Sequence, residues 1–411
     1  MDDAPSAAAV RMKVPEKGEK RSALSIGDGL VLSAAGRKSS SKKRGNVMAR
    51  ILAWMLHPGT LKASLAFAAS AVAFRALARF GGKPGEKSPR KTAFIVIASL
   101  LCSQWLRIVE SDATRSTFCF YTLVRAADII VEKMAKENRA SIARYPLIFH
   151  ADGFLFVFAC FEIMRNWFYD RSKLPRSYAH WISKMADMDE DLIGALRKLK
   201  ERKLKYGKKS DFLQAYCERN GVDPSIADFT HFIPSRVIHP KDGDSTAQNL
   251  ARRWLEGFQK SMFIYLPLHI MPLLINRKAP TAKSSTRIIA SASRSSAFLA
   301  SFIALAWAPI LILRRLRRDD VPSNVYAGCF LCGFSIFLEK SGRRKELMMY
   351  VLPRALESAA RAAGIRLADQ STDVWIFAFS MTVLMRAHAN NASSFGSPLV
   401  KKGFQVVVGK V

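Results

Sequence analysis

Few residues in this chain are grouped in a way that could do chemistry. The nearest to a site is His150-Ala151-Asp152 with Glu162 on one apolar run, because ionisable groups held among apolar neighbours suit general acid–base work or a proton path. Asp152 also stands where it could cap a helix starting at Gly153, which would be a structural use. His269, inside Leu266-Pro267-Leu268-His269-Ile270, is expected to be a core histidine with its hydrogen bonds satisfied. Cys329-Phe330-Leu331-Cys332 has the spacing of half a zinc site, but no second pair or nearby histidine completes it, so packing is the expected use. No phosphate-cradling glycine loop, dinucleotide fingerprint or nucleophile elbow occurs. The expectation is a non-enzymatic protein with no catalytic, cofactor-binding or metal residues and no cofactor.

A second set of polar residues repeats. Glu110, Arg115, Tyr121, Leu123, Arg125 and Ala126 recur at unchanged spacing as Glu339, Arg344, Tyr350, Leu352, Arg354 and Ala355, with Asp128 opposite Glu357. After a shift in spacing, Asp152, Phe156, Phe158, Met164 and Arg165 match Asp373, Phe377, Phe379, Met385 and Arg386. Upstream, each half has a His-Pro followed by a serine, His57-Pro58 with Ser64 and His239-Pro240 with Ser245. Two matching blocks in one order imply an internal duplication, a common ground plan of membrane transporters and channels. Tyr121, Arg125 and Asp128 fall at i, i+4 and i+7, one stripe of a helix, as do Tyr350, Arg354 and Glu357. A charge alone at mid-bilayer costs roughly 2.5–3.5 kcal/mol on insertion scales, so Arg paired with a carboxylate and facing a neighbouring helix is expected. Such pairs would lock the halves together or line a polar path near a pseudo-twofold axis. Pro353 interrupts only the second copy.

The elements that must carry these residues are apolar runs at 63–78, 93–109, 118–131, 146–164, 262–275, 297–313, 325–338 and 374–385. Crossing a bilayer core takes about 20 helical residues, and four of the runs approach that, which predicts about four to six crossings. The run at 297–313 is apolar all round and ends in Arg314-Arg315-Leu316-Arg317-Arg318, a natural stop at a headgroup layer. Many runs are rich in Ala, Ser and Gly, which let helices approach closely in lipid, within one chain or between copies in a homo-oligomer. The expected fold is therefore all-α, a polytopic helical membrane protein with two duplicated repeats. It divides into a basic disordered tail (1–50), a first membrane repeat (51–169), a polar, mostly helical connection (170–256), a second membrane repeat (257–388) and a C-terminal tail (389–411).

The chain is 49% apolar, which excludes wholesale disorder, and six cysteines are too sparse for a disulfide scaffold. A net charge of +31 calls for polyanions. Because the basic residues are spread over many connections rather than gathered on one face, anionic lipid headgroups are the expected partner and nucleic acid is not. A basic stretch at 196–205 would lie on an anionic lipid surface or form a solvated face.

The strings HFIPSRVIHP (231–240), YLPLHIMP (265–272), RSSAFL (294–299), Leu338-Glu339, RRKEL (343–347) and YVLPRALES (350–358) resemble the transmembrane protein 135-like family in its fungal form. The resemblance runs from about Trp54 to His388 and is strongest in the second half. It implies a multi-pass protein of mitochondrial or peroxisomal membranes, distantly related to the mitochondrial inner-membrane translocase channels and linked to organelle dynamics and lipid handling. It implies no catalytic residues. This chain carries Ser64, Ser235 and Ser245 where the family pattern has cysteine, so those places hold no thiol. The alternatives are a lipid-modifying membrane enzyme using the intramembrane His, Asp and Glu, and a scaffold recruiting soluble partners through the tail and connection.

Overall fold

Hydrophobic periodicity and capping chemistry set the helices. In the computed structural model, residues 58–80, 88–109, 112–138, 150–186, 190–201, 211–223, 225, 235–238, 245–275, 281–364 and 370–389 are described. The tail at 1–50, Glu110, His57, His239-Pro240, residues 202–205 of the basic stretch and nearly all of the C-terminal tail lie outside them. The fold is all-helical, without a strand among the described residues.

Helix α1 spans Pro58–Phe80 and α2 spans Pro89–Ser103. Ser88 caps α2 by accepting from the Lys91 amide at 3.1 Å, and Pro89 takes a first-turn position where its missing N–H costs nothing. The chain then tightens into a 3₁₀ segment, Gln104–Ile108, before α3, Asp112–Glu137. Helix α4 follows at Ala151–Tyr169. The second half repeats this order: α9 (Ala282–Arg317), α10 (Pro322–Leu331), a 3₁₀ segment (Cys332–Leu338), α11 (Ser341–Ala362) and α12 (Gln370–Ala389). A reciprocal capping box between Thr281 and Ser284 starts α9, and Arg318 in the left-handed region (φ 51°) ends it.

Between the halves lie α5 (Arg176–Ala186), α6 (Glu190–Lys200), α7 (Asp211–Arg219) and α8 (Thr246–Ile275). Ser245 caps α8 by accepting from the Gln248 amide, and α8 runs unbroken across the expected division at 256/257. The connection is docked rather than free. Trp167 Nε1 donates to the Ala179 carbonyl and to Ser183 Oγ, while Arg197 donates to the Phe168 and Trp167 carbonyls at 2.7 and 3.2 Å, closing the C-terminal end of α4. Partial burial beside Arg171 lowers the Arg197 pKa from its usual value.

The long helices α3 and α11 cross at the centre. Their contacts run in opposite chain directions, Thr117 with Arg354, Tyr121 with Tyr350 and Asp128 with Lys345, so the two are antiparallel. Each long helix packs on the last helix of the other half, α3 on α12 and α11 on α4. Helix α2 covers α12, α10 covers α4, α1 lies on α2, and α9 on α10 with α8 behind it. The larger apolar core gathers Trp167, Phe168, Trp307, Leu311, Ile336 and Met349; a smaller one joins Trp105, Leu106, Cys119, Val374 and Phe377.

By length and hydropathy, two helical segments among the described residues could cross a membrane, Pro89–Ile108 and Ala282–Arg317. This is fewer than the expected four to six. Ser64–Ala73 and Pro322–Leu338 are apolar but short, and α4 carries Asp152, Glu162 and Arg165 along its 19 residues. Half of the apolar window of α9 is buried inside the bundle, as in the core helix of a soluble protein.

Candidate functional site

The repeated polar residues come together at the crossing of α3 and α11 and at its two ends. Arg115, in the first turn of α3, is buried. It donates from Nε to Asp373 Oδ2 of α12 at 3.0 Å, from Nη2 to Asp112 at 2.5 Å and from Nη1 to the Val109 carbonyl at 3.3 Å. Its counterpart Arg344, in the first turn of α11, pairs with Asp152 of α4, the counterpart of Asp373, at 3.9 Å. That distance is an ion pair without a hydrogen bond. Asp152 Oδ1 and Arg344 Nε are buried and have no hydrogen-bond partner among the described residues. Arg344 also lies over the Phe337 ring, 5.4 Å from its centroid.

Tyr121 and Tyr350 meet at the centre, with ring centroids 6.1 Å apart, and the Tyr121 hydroxyl donates to the Tyr350 carbonyl at 3.0 Å. Arg354 sits over the Tyr121 ring at 5.8 Å, donates to Thr117 Oγ1 at 3.0 Å and pairs with Glu357 at 3.3 Å. Glu357 is buried and accepts from Arg361 at 2.6 Å as well. Beside it, Asn166 of α4 donates to Ser358 Oγ and to Glu162 Oε1, both at 2.7 Å. Buried polar groups are thus largely joined across helices, as burial requires.

The expected stripes behave unequally. In the second copy Arg354 and Glu357 do pair, one helical turn apart. In the first, Asp128 turns to Lys345 at 2.9 Å, and Arg125 is half-buried with no ion pair among the described residues. Glu339 is buried, accepting from Ser295 Oγ of α9 at 2.5 Å with Arg343 at 3.6 Å. Glu110 lies outside the described residues.

Two expectations need correction. Asp152 does not cap α4: His150 is at the N-cap without a side-chain bond, and Asp152, inside the first turn, faces Arg344 instead. His269 is not satisfied, since its Nε2 is buried with no hydrogen-bond partner among the described residues. The acid–base group on the run also separates, because Glu162 is held by Arg165 and Asn166, ten residues down the helix from Asp152 and roughly 15 Å away at ~1.5 Å per residue. Cys329 and Cys332 are buried free thiols, with Cys332 Sγ donating to the Cys329 carbonyl. Among the described residues no three His, Cys, Asp or Glu side chains gather to hold a metal ion.

The residues that sequence reasoning undervalued are Asp152 and Asp373 as partners of the two arginines. The second matching block pointed to them, since it made the two aspartates equivalent. Comparison with known proteins adds no relative: no family model, curated protein or solved structure matches the chain.

Proposed function

We propose that this chain is a polytopic integral membrane protein built from two duplicated, oppositely oriented halves. In this reading it serves the movement of lipid or solute, or the remodelling of a peroxisomal or mitochondrial membrane, without enzymatic chemistry. One observation carries the membrane reading. Large apolar side chains point outward on both halves, with Leu65 69%, Phe263 76%, Phe158 61% and Trp375 64% exposed, while Arg115, Arg314, Glu339, Glu357 and Asp373 are each at most 6% exposed. In water such outward-facing apolar side chains are unfavourable, since leaving one exposed forgoes roughly 1.5–3 kcal/mol. In lipid it is the expected one, with apolar groups facing the tails and charges paired inside the bundle.

The duplication is supported by the element order and by the crossed pairing of equivalent residues. Arg115 meets Asp373 as Arg344 meets Asp152, and Tyr121 meets its own counterpart. Because α3 and α11 are antiparallel, the axis relating them lies across the helices, which is the geometry of inverted repeats in secondary transporters. The organelle and lipid roles rest on the family resemblance.

Two experiments test the reading separately. Alkaline carbonate extraction of cell membranes should leave the full-length chain in the pellet, and recovery in the supernatant would defeat the membrane reading. Purified protein in phosphatidylcholine vesicles containing an anionic lipid should move a fluorescent lipid or a small solute across the bilayer, or bind lipid. Vesicles inert on every count would defeat the functional one.

A further inference from the structure

The two equivalent ion pairs differ in a way written into the sequence. Arg115 has two carboxylates, Asp373 across the interface and Asp112 three residues earlier on its own helix. The position equivalent to Asp112 is Ser341, so among the described residues Arg344 has Asp152 as its one carboxylate partner, at 3.9 Å and with polar atoms of both unsatisfied. Arg115 lies six residues before Tyr121 and Arg344 six before Tyr350. With α3 and α11 antiparallel, the pairs therefore sit about 9 Å to either side of the tyrosine contact, roughly 18 Å apart along the bundle. A bilayer core of ~30 Å centred on that contact would contain both.

We propose that these pairs are alternate latches of a two-state protein: the structure holds the Arg115–Asp373 latch closed and the Arg344–Asp152 latch loose, and the second state exchanges them. The inference rests on the proposed duplication. Equivalent residues in inverted halves can adopt either of two local arrangements, and exchanging them opens the other end of the bundle. The tyrosine contact, close to the axis, is the pivot. Asp112 biases the equilibrium toward the state described, since it adds a charge-assisted bond to the first latch that the second lacks.

A native cysteine reports on the first latch. Cys119 is buried and its thiol donates to the Asp373 carbonyl at 3.2 Å; the equivalent position is Met348, also buried. The test reads the labelling rate of Cys119 by a membrane-impermeant maleimide, resolved by peptide mass spectrometry, in full-length protein reconstituted in vesicles or held in detergent. Ser341→Asp gives Arg344 the second carboxylate and should close the loose latch. Cys119 labelling, which reports on the other latch through its bond to Asp373, should then rise roughly fivefold or more, the lower range of coupling between separate sites. A Met348→Cys reporter should slow in the same background. Gly342→Asp adds the same charge one residue away, where a side chain meets nothing within 4 Å, and should leave both rates unchanged. Asp373→Asn should raise Cys119 labelling directly. A Cys119 rate indifferent to Ser341→Asp, or one that responds equally to Gly342→Asp, overturns the exchange; so does a rise at both reporters, which marks loosening of the whole bundle. If Met348→Cys fails to fold, Cys119 alone decides. Failure of the membrane reading appears separately, in carbonate extraction, because latch exchange is measurable in detergent either way.

Discussion

Asp373→Asn and Asp152→Asn are the same chemical change at equivalent positions and should have very different costs. The side chains of Arg115 and Asp373 are 5% and 4% exposed and hydrogen-bonded at 3.0 Å. Removing one partner of a buried pair typically costs about 3–5 kcal/mol, mostly from the charge left behind. Asp112 remains to hold Arg115, although its own side chain is 63% exposed, so the lower end of that range, about 3 kcal/mol, applies. Arg344 and Asp152 are 11% and 18% exposed, 3.9 Å apart and without a hydrogen bond. Their pair contains no hydrogen bond to lose, and a hydrogen bond to a charged group is worth about 1.5–3 kcal/mol, so Asp152→Asn should cost about 2 kcal/mol less than Asp373→Asn. The difference of about 2 kcal/mol corresponds to roughly a 30-fold change in the unfolding equilibrium. Denaturant titration in mixed micelles, followed by tryptophan fluorescence, measures it. Arg115→Met with Asp373→Leu should recover much of the loss, because removing both charges removes the unpaired one. Equal costs for the two Asn variants, or a larger cost at Asp152, would refute the reading of one tight and one loose pair. A double variant as unstable as Asp373→Asn would show that packing, not charge, is what the site supplies.

Three further outcomes follow from the packing. Gly328→Ala should destabilise by about 1–3 kcal/mol in the same titration, because a Cβ there would run into the Ala306 carbonyl oxygen of α9; Gly342→Ala, with open space around it, should change little. Arg197→Ala removes two charge-assisted bonds to the end of α4 and should speed limited proteolysis within the connection, with the helical bundle itself unchanged on the gel. Burial raises the Cys217 thiol pKa above its usual value, with Asp223 and Glu218 nearby adding to the shift. Its alkylation in the folded protein should therefore be slow at neutral pH and keep climbing with pH after an ordinary thiol has levelled off, whereas levelling at the usual pH would contradict the burial.

The helical class and the positions of the apolar helices were legible because runs of apolar residues between basic connections leave few alternatives. The bends were not. The runs at 93–109 and 325–338 read as uninterrupted, yet each tightens into a 3₁₀ segment, at Gln104–Ile108 and Cys332–Leu338, so neither is one straight helix. At the candidate site, the self-match set residues at like positions of the two halves but did not say who faces whom. Helical spacing suggested that each arginine would meet the acid on its own stripe, which holds for Arg354 with Glu357. It fails for Asp128, because Lys345 on the crossing helix comes within 2.9 Å. Pairing between elements far apart in sequence depends on how helices cross, and period alone carries no record of that. Asp152 is the same lesson: its place near a helix start suggested a cap, and its tertiary partner, Arg344, outcompetes that role.

Helix α4 leans on a helix that has not yet been made when α4 leaves the ribosome. The bond from Asn166 to Ser358 joins residues 192 positions apart. At typical elongation rates of about 5–20 residues per second, the second partner arrives some 10–40 s after the first. Throughout that interval Asp152 and Asn166 have no companions from α11, and whatever escorts the nascent polypeptide must shelter a half-finished, polar-faced helix until its match is synthesised.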